Sequence, residues 1–218
     1  MSYRMITSSQ PFKPLSRRSV LFGGAIAGVS AAVGLSTVAR PGQASSTSNM
    51  VHDAEILNGA LYYEHQAIWA YSAAAEYLSD SDVGEAVLAL ALENQADHMA
   101  HRDMLIQVVC DLGGTPVVAE ESYDLSSYIE NGDGNLDSDV NIAKLALALE
   151  TDAAIAYGSE ISRLRTPELI TAGASIGATE SAHATAIRAA FVSLGVEIDY
   201  VPTPFVSADT RSEWIIKV

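Results

Sequence analysis

Apolar residues recur at spacings of three and four through four long stretches of this chain, with few glycines or prolines to interrupt them. Leu57, Leu61, Glu64 and Ile68 share one such stripe, and Ile142, Leu147, Glu150 and Ala154 share another. That period belongs to amphipathic helices with one face turned to a core. The first helix is predicted from about Asp53 to Leu78. Asp80, Ser81 and Asp82 supply N-cap chemistry for a second, which runs to Leu112 and stops at Gly113 and Gly114. A third begins after Asp137, Ser138 and Asp139 and ends near Leu164. Thr166, Pro167 and Glu168 give a cap, a first-turn proline and a first-turn acid, and they open a fourth helix that ends at Gly195.

Only a few residues connect the first helix to the second and the third to the fourth, so each pair reads as an antiparallel hairpin. About 26 residues separate Gly113 from Ser138. A loop that long needs a reason. Helices of this size are about 40–45 Å long, and 26 extended residues reach roughly 85 Å, enough to cross the bundle end to end. The predicted class is all-α, a four-helix bundle of two antiparallel helical hairpins joined by a long crossover. Within the crossover, Asn131, Asp133, Asn135, Asp137 and Asp139 alternate like calcium-loop ligands. Leu136 stands where a glycine is needed and Ile142 where a terminal Glu is needed, so the stretch reads as a polar turn and a helix cap. The expected boundaries are an export signal over residues 1–44, a Ser/Thr-rich flexible linker over 45–52, the bundle over 53–196, and an extended C-terminal tail over 197–218.

The two hairpins carry one motif twice. Glu64, Ala67, Ala70 and Tyr71 recur 86 residues later as Glu150, Ala153, Ala156 and Tyr157. Downstream of the first set, His98 and His101 precede Leu112 and Gly113; downstream of the second, Glu180 and His183 precede Leu194 and Gly195 at matching distances. His98 and His101 are three apart and share one helix face, as do Glu180 and His183. A lone Glu on an apolar stripe usually snorkels out at its edge, and a lone pair three apart is a weak signal. Repetition in register makes both harder to dismiss. Glu64, His98, His101, Glu150, Glu180 and His183 are the candidate metal ligands, because acid and acid-or-His-x-x-His, twice over, suits a two-metal site inside a bundle.

Charge sharpens the reading. Between Val51 and His101 there is no Lys or Arg, Arg188 lies eight residues from Glu180, and Lys144 six from Glu150. Three inward carboxylates without side-chain cations would be prohibitively costly, and divalent metals are the natural compensation. Carboxylic acids kept neutral by hydrogen bonds to the histidines are the alternative. Tyr71 and Tyr157 lie two turns after their acids; they are groups that orient ligands, redox-active residues or ordinary core tyrosines. Asp97, four residues before His101, is either its partner or a solvated acid. His65 points about 100° away from Glu64 on a helix and is left out. Cys110, the single cysteine, sits in an apolar stretch and is expected to be a buried core thiol.

The N-terminus reads as an export signal. Arg17 and Arg18 precede an apolar run from Val20 to Ala39, and Gly42, Gln43 and Ala44 offer a small-x-small cleavage site. Paired arginines point to the twin-arginine route and to a periplasmic or secreted protein. The run nears the length of a membrane span, but its Gly, Ala and Ser content argues against stable insertion after cleavage. Without residues 1–44 the chain holds 7 basic and 27 acidic side chains, a net −20. Such a surface repels phosphate backbones and argues against nucleic-acid partners.

Across roughly residues 53–195 the chain resembles the ferritin-like superfamily, in particular its exported ferritin-like domain proteins of the desiccation-related type. The resemblance rests on Ile56-Leu57-Asn58 with Glu64, on His101, on Leu149-Glu150 with Ala156-Tyr157, and on Ala178-Thr179-Glu180-Ser181-Ala182-His183. It implies a ferritin-like four-helix bundle with Glu64, His101, Glu150, Glu180 and His183 as ligands of two divalent metal ions, iron or manganese first and zinc also compatible. It further implies oxygen or peroxide as partners, in a ferroxidase-like or peroxide-handling oxidoreductase and a stress response. A small homo-oligomer is compatible with it. His98 stands where the superfamily pattern has Glu, which leaves three carboxylates instead of four. That departure keeps a second function open: a non-enzymatic envelope scaffold or stress-protective bundle with a structural metal or none.

Overall fold

The computed structural model describes residues 43–218, with side chains from residue 47. The expected export signal lies outside the described residues except for its last two. Helix α1 spans Gln43–Ala75, α2 Asp82–Asp111, a short α3 Ser126–Glu130, α4 Asp139–Glu160, α5 Pro167–Ser193 and a single-turn α6 Arg211–Trp214. The described residues contain no strand, and none of their helices is long and apolar enough to cross a membrane. The hairpins α1/α2 and α4/α5 make the closest helix pairs, and α4 also packs on α1 and α2.

The caps follow from local chemistry. The Ser81 side chain accepts from Gly84 N at the start of α2, and the Ser138 side chain accepts from Asn141 N at the start of α4. At α5, Thr166 Oγ1 donates instead to Asp53 Oδ2 at 2.6 Å, and the fully buried Asp53 also accepts from Arg165 N and Thr166 N. An α1 carboxylate thus holds the turn of the other hairpin. Gly113 and Gly195 end α2 and α5 at φ 79° and 86°, the left-handed backbone that glycine adopts at no steric cost. Gly134, at φ 141°, is also fixed by contact, because a Cβ there would stand 2.2 Å from Leu145 N.

Two expectations change. Residues 45–52, expected as a flexible linker, are the first turns of α1. No Gly or Pro breaks that stretch. Contacts reward its order as well: Asn49 Oδ1 accepts from Arg165 and His52 Nε2 meets Arg163 O at 3.0 Å. Cys110, expected in the core, is exposed. Leu105 and Val109 take the buried face of α2, and the residue after Val109 is turned about 100° from it.

The core falls into two apolar clusters. One gathers Ile56, Leu57, Leu61, Leu105, Val109, Tyr157, Leu164 and Ile176, and the other Leu147, Ala184, Ile187, Phe191 and Trp214. Along α4, Glu150 sits between Leu147 of one cluster and Tyr157 of the other; along α5, Glu180 sits between Ile176 and Ala184. The candidate site is a polar layer between two hydrophobic ones. The C-terminal residues are fastened onto the second cluster: Arg188, itself buried, donates to Asp199 O and Trp214 O, and Trp214 is 3% exposed. The polar turn at 131–139 is closed by cations, since Asp133 pairs with Arg211 at 2.9 Å and with Lys217.

Candidate metal centre

Heptad-like stripes place one face of each long helix inward, and on that face the structure brings the six candidate residues together. Glu64 comes from α1, His98 and His101 from α2, Glu150 from α4, and Glu180 and His183 from α5. Glu64, Glu150 and Glu180 are 3%, 1% and 0% exposed, and His98 is 2% exposed. These residues form two overlapping groups, Glu64–His98–His101–Glu180 and His98–Glu150–Glu180–His183. In each, one ligand atom from every residue lies within 4.8 Å of the others. His98 and Glu180 belong to both.

His98 lies between the hairpins. Its Nδ1 is 2.8 Å from Glu64 Oε2 and its Nε2 is 3.1 Å from Glu150 Oε1. His183 Nδ1 is 3.1 Å from Glu150 Oε2 and 3.4 Å from Glu180 Oε2. His101 Nδ1 stands 3.0 Å from Glu180 Oε1, near enough for an ion pair yet outside hydrogen-bond geometry. Both Glu180 oxygens and His101 Nδ1 are consequently buried without a hydrogen bond.

Each tyrosine is hydrogen-bonded to the other hairpin's acid. Tyr157 on α4 donates to Glu64 Oε1 on α1 at 2.5 Å, and Tyr71 on α1 donates to Glu150 Oε1 on α4. Asn94 Nδ2 donates in turn to Tyr71 at 3.1 Å. Burial and the neighbouring carboxylates push both phenols well above their ordinary range, so they remain proton donors. Asp97 partners His183, not His101: its Oδ2 is 3.1 Å from His183 Nε2. The spacing of four on α2 placed Asp97 near the right face but could not show which imidazole crosses from α5. His65, left out of the site, meets Val117 O at 3.3 Å through Nε2. Asn94 was missed; its position four residues before His98 is the only sequence signal it gave.

The electrostatics correct one premise. Burial disfavours protonation of His98, yet Glu150 and Glu64 outweigh it and hold the imidazole well above its ordinary value. The same balance raises His101 to about 9 and His183 to about 10. Burial would raise the Glu64 carboxyl, but His101 and His98 bring it down to about 2, and Glu150 is likewise held well below its usual range by His98 and His183. Three carboxylates and three imidazolium ions can therefore neutralise one another, so buried acid alone does not demand a metal. The case for ions rests on the Glu180 oxygens and His101 Nδ1, which are ion-paired but outside hydrogen-bond geometry, on the overlapping donor groups, and on a chemistry of oxygen and imidazole that suits divalent cations. On those grounds the residues fit a buried divalent metal site.

A cleft of about 530 Å³ between α1 and α4 reaches this layer, lined by Glu64, Tyr71, His98, Glu150 and Tyr157 at its base and by Glu55, Tyr128 and Asp152 farther out.

The described bundle resembles the crystal structure of a conserved hypothetical protein, rv2844, from Mycobacterium tuberculosis. The TM-score is 0.55 and the identity 24%, over 72% of this chain and 99% of that one, a likeness that speaks to the fold. No curated protein matches the sequence. The sequence model of the ferritin-like domain matches residues 52–193. That span takes in all six inward Glu and His residues and most of the chain, which belongs to the ferritin-like domain family.

Proposed function

We propose that this chain is an exported ferritin-like protein with a two-metal centre, iron or manganese, that oxidises ferrous iron or breaks down peroxide. One observation carries the reading: in a buried layer, both Glu180 oxygens and His101 Nδ1 lie outside hydrogen-bond geometry while sitting among four other ligand-type side chains. Buried polar atoms without well-formed hydrogen bonds are costly, and a cation among them would supply what the bent imidazole contacts do not.

Glu64 and His101 would hold one ion, Glu150 and His183 the other, with Glu180 and His98 in reach of both. Bound there, the ions would supply redox change and Lewis acidity toward a small oxidant. The protein's own part is orientation and proton handling. Tyr157 and Tyr71 fix one oxygen of Glu64 and of Glu150, and the second oxygen of each faces an inward imidazole, His98 and His183 respectively. Asp97 fixes His183 through Nε2, which leaves Nδ1 for the interior. The α1–α4 cleft gives oxidant and ferrous substrate a way in, and the apolar clusters at either side keep bulk water out. Twin arginines at Arg17 and Arg18 support export in the folded state.

The scaffold reading retains one supporting observation, the capacity of three Glu and three His to neutralise each other without metal. Elemental analysis of protein folded in cells, followed by anaerobic ferrous titration and oxygen exposure, separates the two. Stoichiometric metal and a near-ultraviolet charge-transfer band of oxidised iron are expected, and Glu64→Ala with His183→Ala should abolish uptake while helicity persists. Metal-free protein with no oxygen-dependent signal would establish the scaffold instead.

A further inference from the structure

A second cavity, of about 370 Å³, lies on the other side of Tyr71 and Leu149, which line both it and the α1–α4 cleft. Its walls come from α1, α2, α4 and α5, and the crossover borders it with Leu125, Ser126 and Ile129. Among the described residues no charged side chain and no histidine lines it, in a chain with 27 acids. Trp69, Leu90, Ile187 and Phe191 supply large apolar surface. Nine alanines in the lining explain why space remains, since small side chains at inward positions leave the gap that leucines would fill. The polar groups in its lining are Tyr71, Asn94, Tyr123, Ser126 and Ser193; of these Tyr71 and Asn94 are joined to each other at 3.1 Å and through Tyr71 to Glu150.

We propose that this cavity is a binding site for an uncharged apolar small molecule of the alkyl-chain class, its hydroxyl or carbonyl end at Tyr71 and Asn94. Water gains few hydrogen bonds against so apolar a lining, and an apolar ligand that displaces it from there gains the burial of its own chain. A charged ligand is opposed by the lack of any countercharge. An alkanol matches both ends. It buries its chain against Trp69, Leu90 and Phe191, and its oxygen reaches the pair that holds Glu150. Binding there needs no metal, so this inference stands apart from the function proposed above.

The test uses the full chain, metal-free and metal-loaded. Bromononanol quenches indole, and the chain has two tryptophans, of which only Trp69 lines the cavity. Saturable quenching with one site per chain is expected in both metal states, and it should vanish in Trp69→Phe, where Trp214 still emits. An uncharged naphthylamine dye should bind with the same stoichiometry, be displaced by decanol, and lose at least tenfold in affinity in Ala146→Phe and in Ala91→Phe. Those two substitutions fill the cavity from different helices. Absent saturation in the wild-type chain, or equal dye affinity in a filled variant of unchanged helicity, would overturn the site. Because quenching is read on the unfilled protein, the result stands even if neither filled variant folds.

Discussion

Tyr157 donates its hydroxyl to Glu64 Oε1 across the interface between the two hairpins, at 2.5 Å. Tyr71 repays the relation by donating to Glu150, so the duplicated motif is wired in exchange: each half supplies an acid to the centre and a phenol to the other half's acid. Two residues seven apart on one helix share a face without touching. The partner that lies opposite comes from the other hairpin.

Tyr157→Phe removes that donor while keeping the ring in its apolar cluster. Loss of one hydrogen bond to a charged group costs about 1.5–3 kcal/mol, and groups that orient metal ligands are worth about 10- to 100-fold in metal affinity. The variant is expected to remain helical, with lower thermal stability and at least tenfold weaker metal binding in competition with a chelator. Unchanged metal affinity would mean that Glu64 needs no help in facing inward.

His98→Glu restores the fourth carboxylate of the pattern this chain resembles. His98 lies 2.8 Å from Glu64 and 3.1 Å from Glu150, so the change converts two attractive pairs into carboxylate–carboxylate contacts. Metal-free protein should lose several degrees in melting temperature. Metal-loaded protein should recover it, because ligands that bind only the folded state stabilise by mass action. Titration calorimetry is expected to show a tighter second metal site than in the wild-type chain.

Much of this arrangement was legible before the fold was known. The helices, their caps and the inward positions of Glu64, Glu150, Glu180 and His183 follow from period and from duplication, which give the face a side chain takes. What crosses the bundle is not in the period. Asp97 reaches His183 rather than His101, and Asp53 caps the α5 turn, because the crossover decides which helix stands opposite. Cys110 was misplaced because an apolar stretch was read without its phase: Val109 faces in, so the next residue faces out. The Ser/Thr-rich residues before His52 were read from composition, whereas α1 carries them to Asn49 and its contact with Arg165.

The imidazoles give the metal-free protein a defined dependence on pH. His101 at about 9 and His183 at about 10 stand above the ordinary imidazole value of about 6.5, so the folded state holds protons that the unfolded chain releases. Their contribution is full below about 6.5 and is lost as pH rises through 9 to 10. Denaturant unfolding of metal-free protein should show stability falling across that window, with a flatter profile in His183→Gln. Metal must displace the same protons. Zinc added at neutral pH in weak buffer should release protons in proportion to the metal bound, as read by an indicator dye. Binding without release would place the metal elsewhere.

Asp133 is the hub of the C-terminal fastening. It is 1% exposed and meets Arg211 at 2.9 Å together with Lys217, while Arg211 also holds Asp152 at 2.5 Å on the rim of the α1–α4 cleft. Burial opposes its charge, but Lys217 and Arg211 outweigh that and keep its carboxyl below the usual range. Asp133→Asn leaves Lys217 without its carboxylate and Arg211 with Asp152 alone. Since Lys217 is half exposed, the expected loss is modest, about 1–2 kcal/mol. The larger effect is local. Val218 N donates to Gly132 O on the same turn, so freeing the turn frees the chain end, and trypsin should cut after Arg211 and Lys217 several-fold faster in the variant. Asp152 then loses a fixed neighbour at the cleft, and exchange of bound metal with a chelator should quicken while equilibrium metal content stays the same. An unaltered cleavage rate would show that Trp214 and Arg188 hold the C-terminal residues without Asp133.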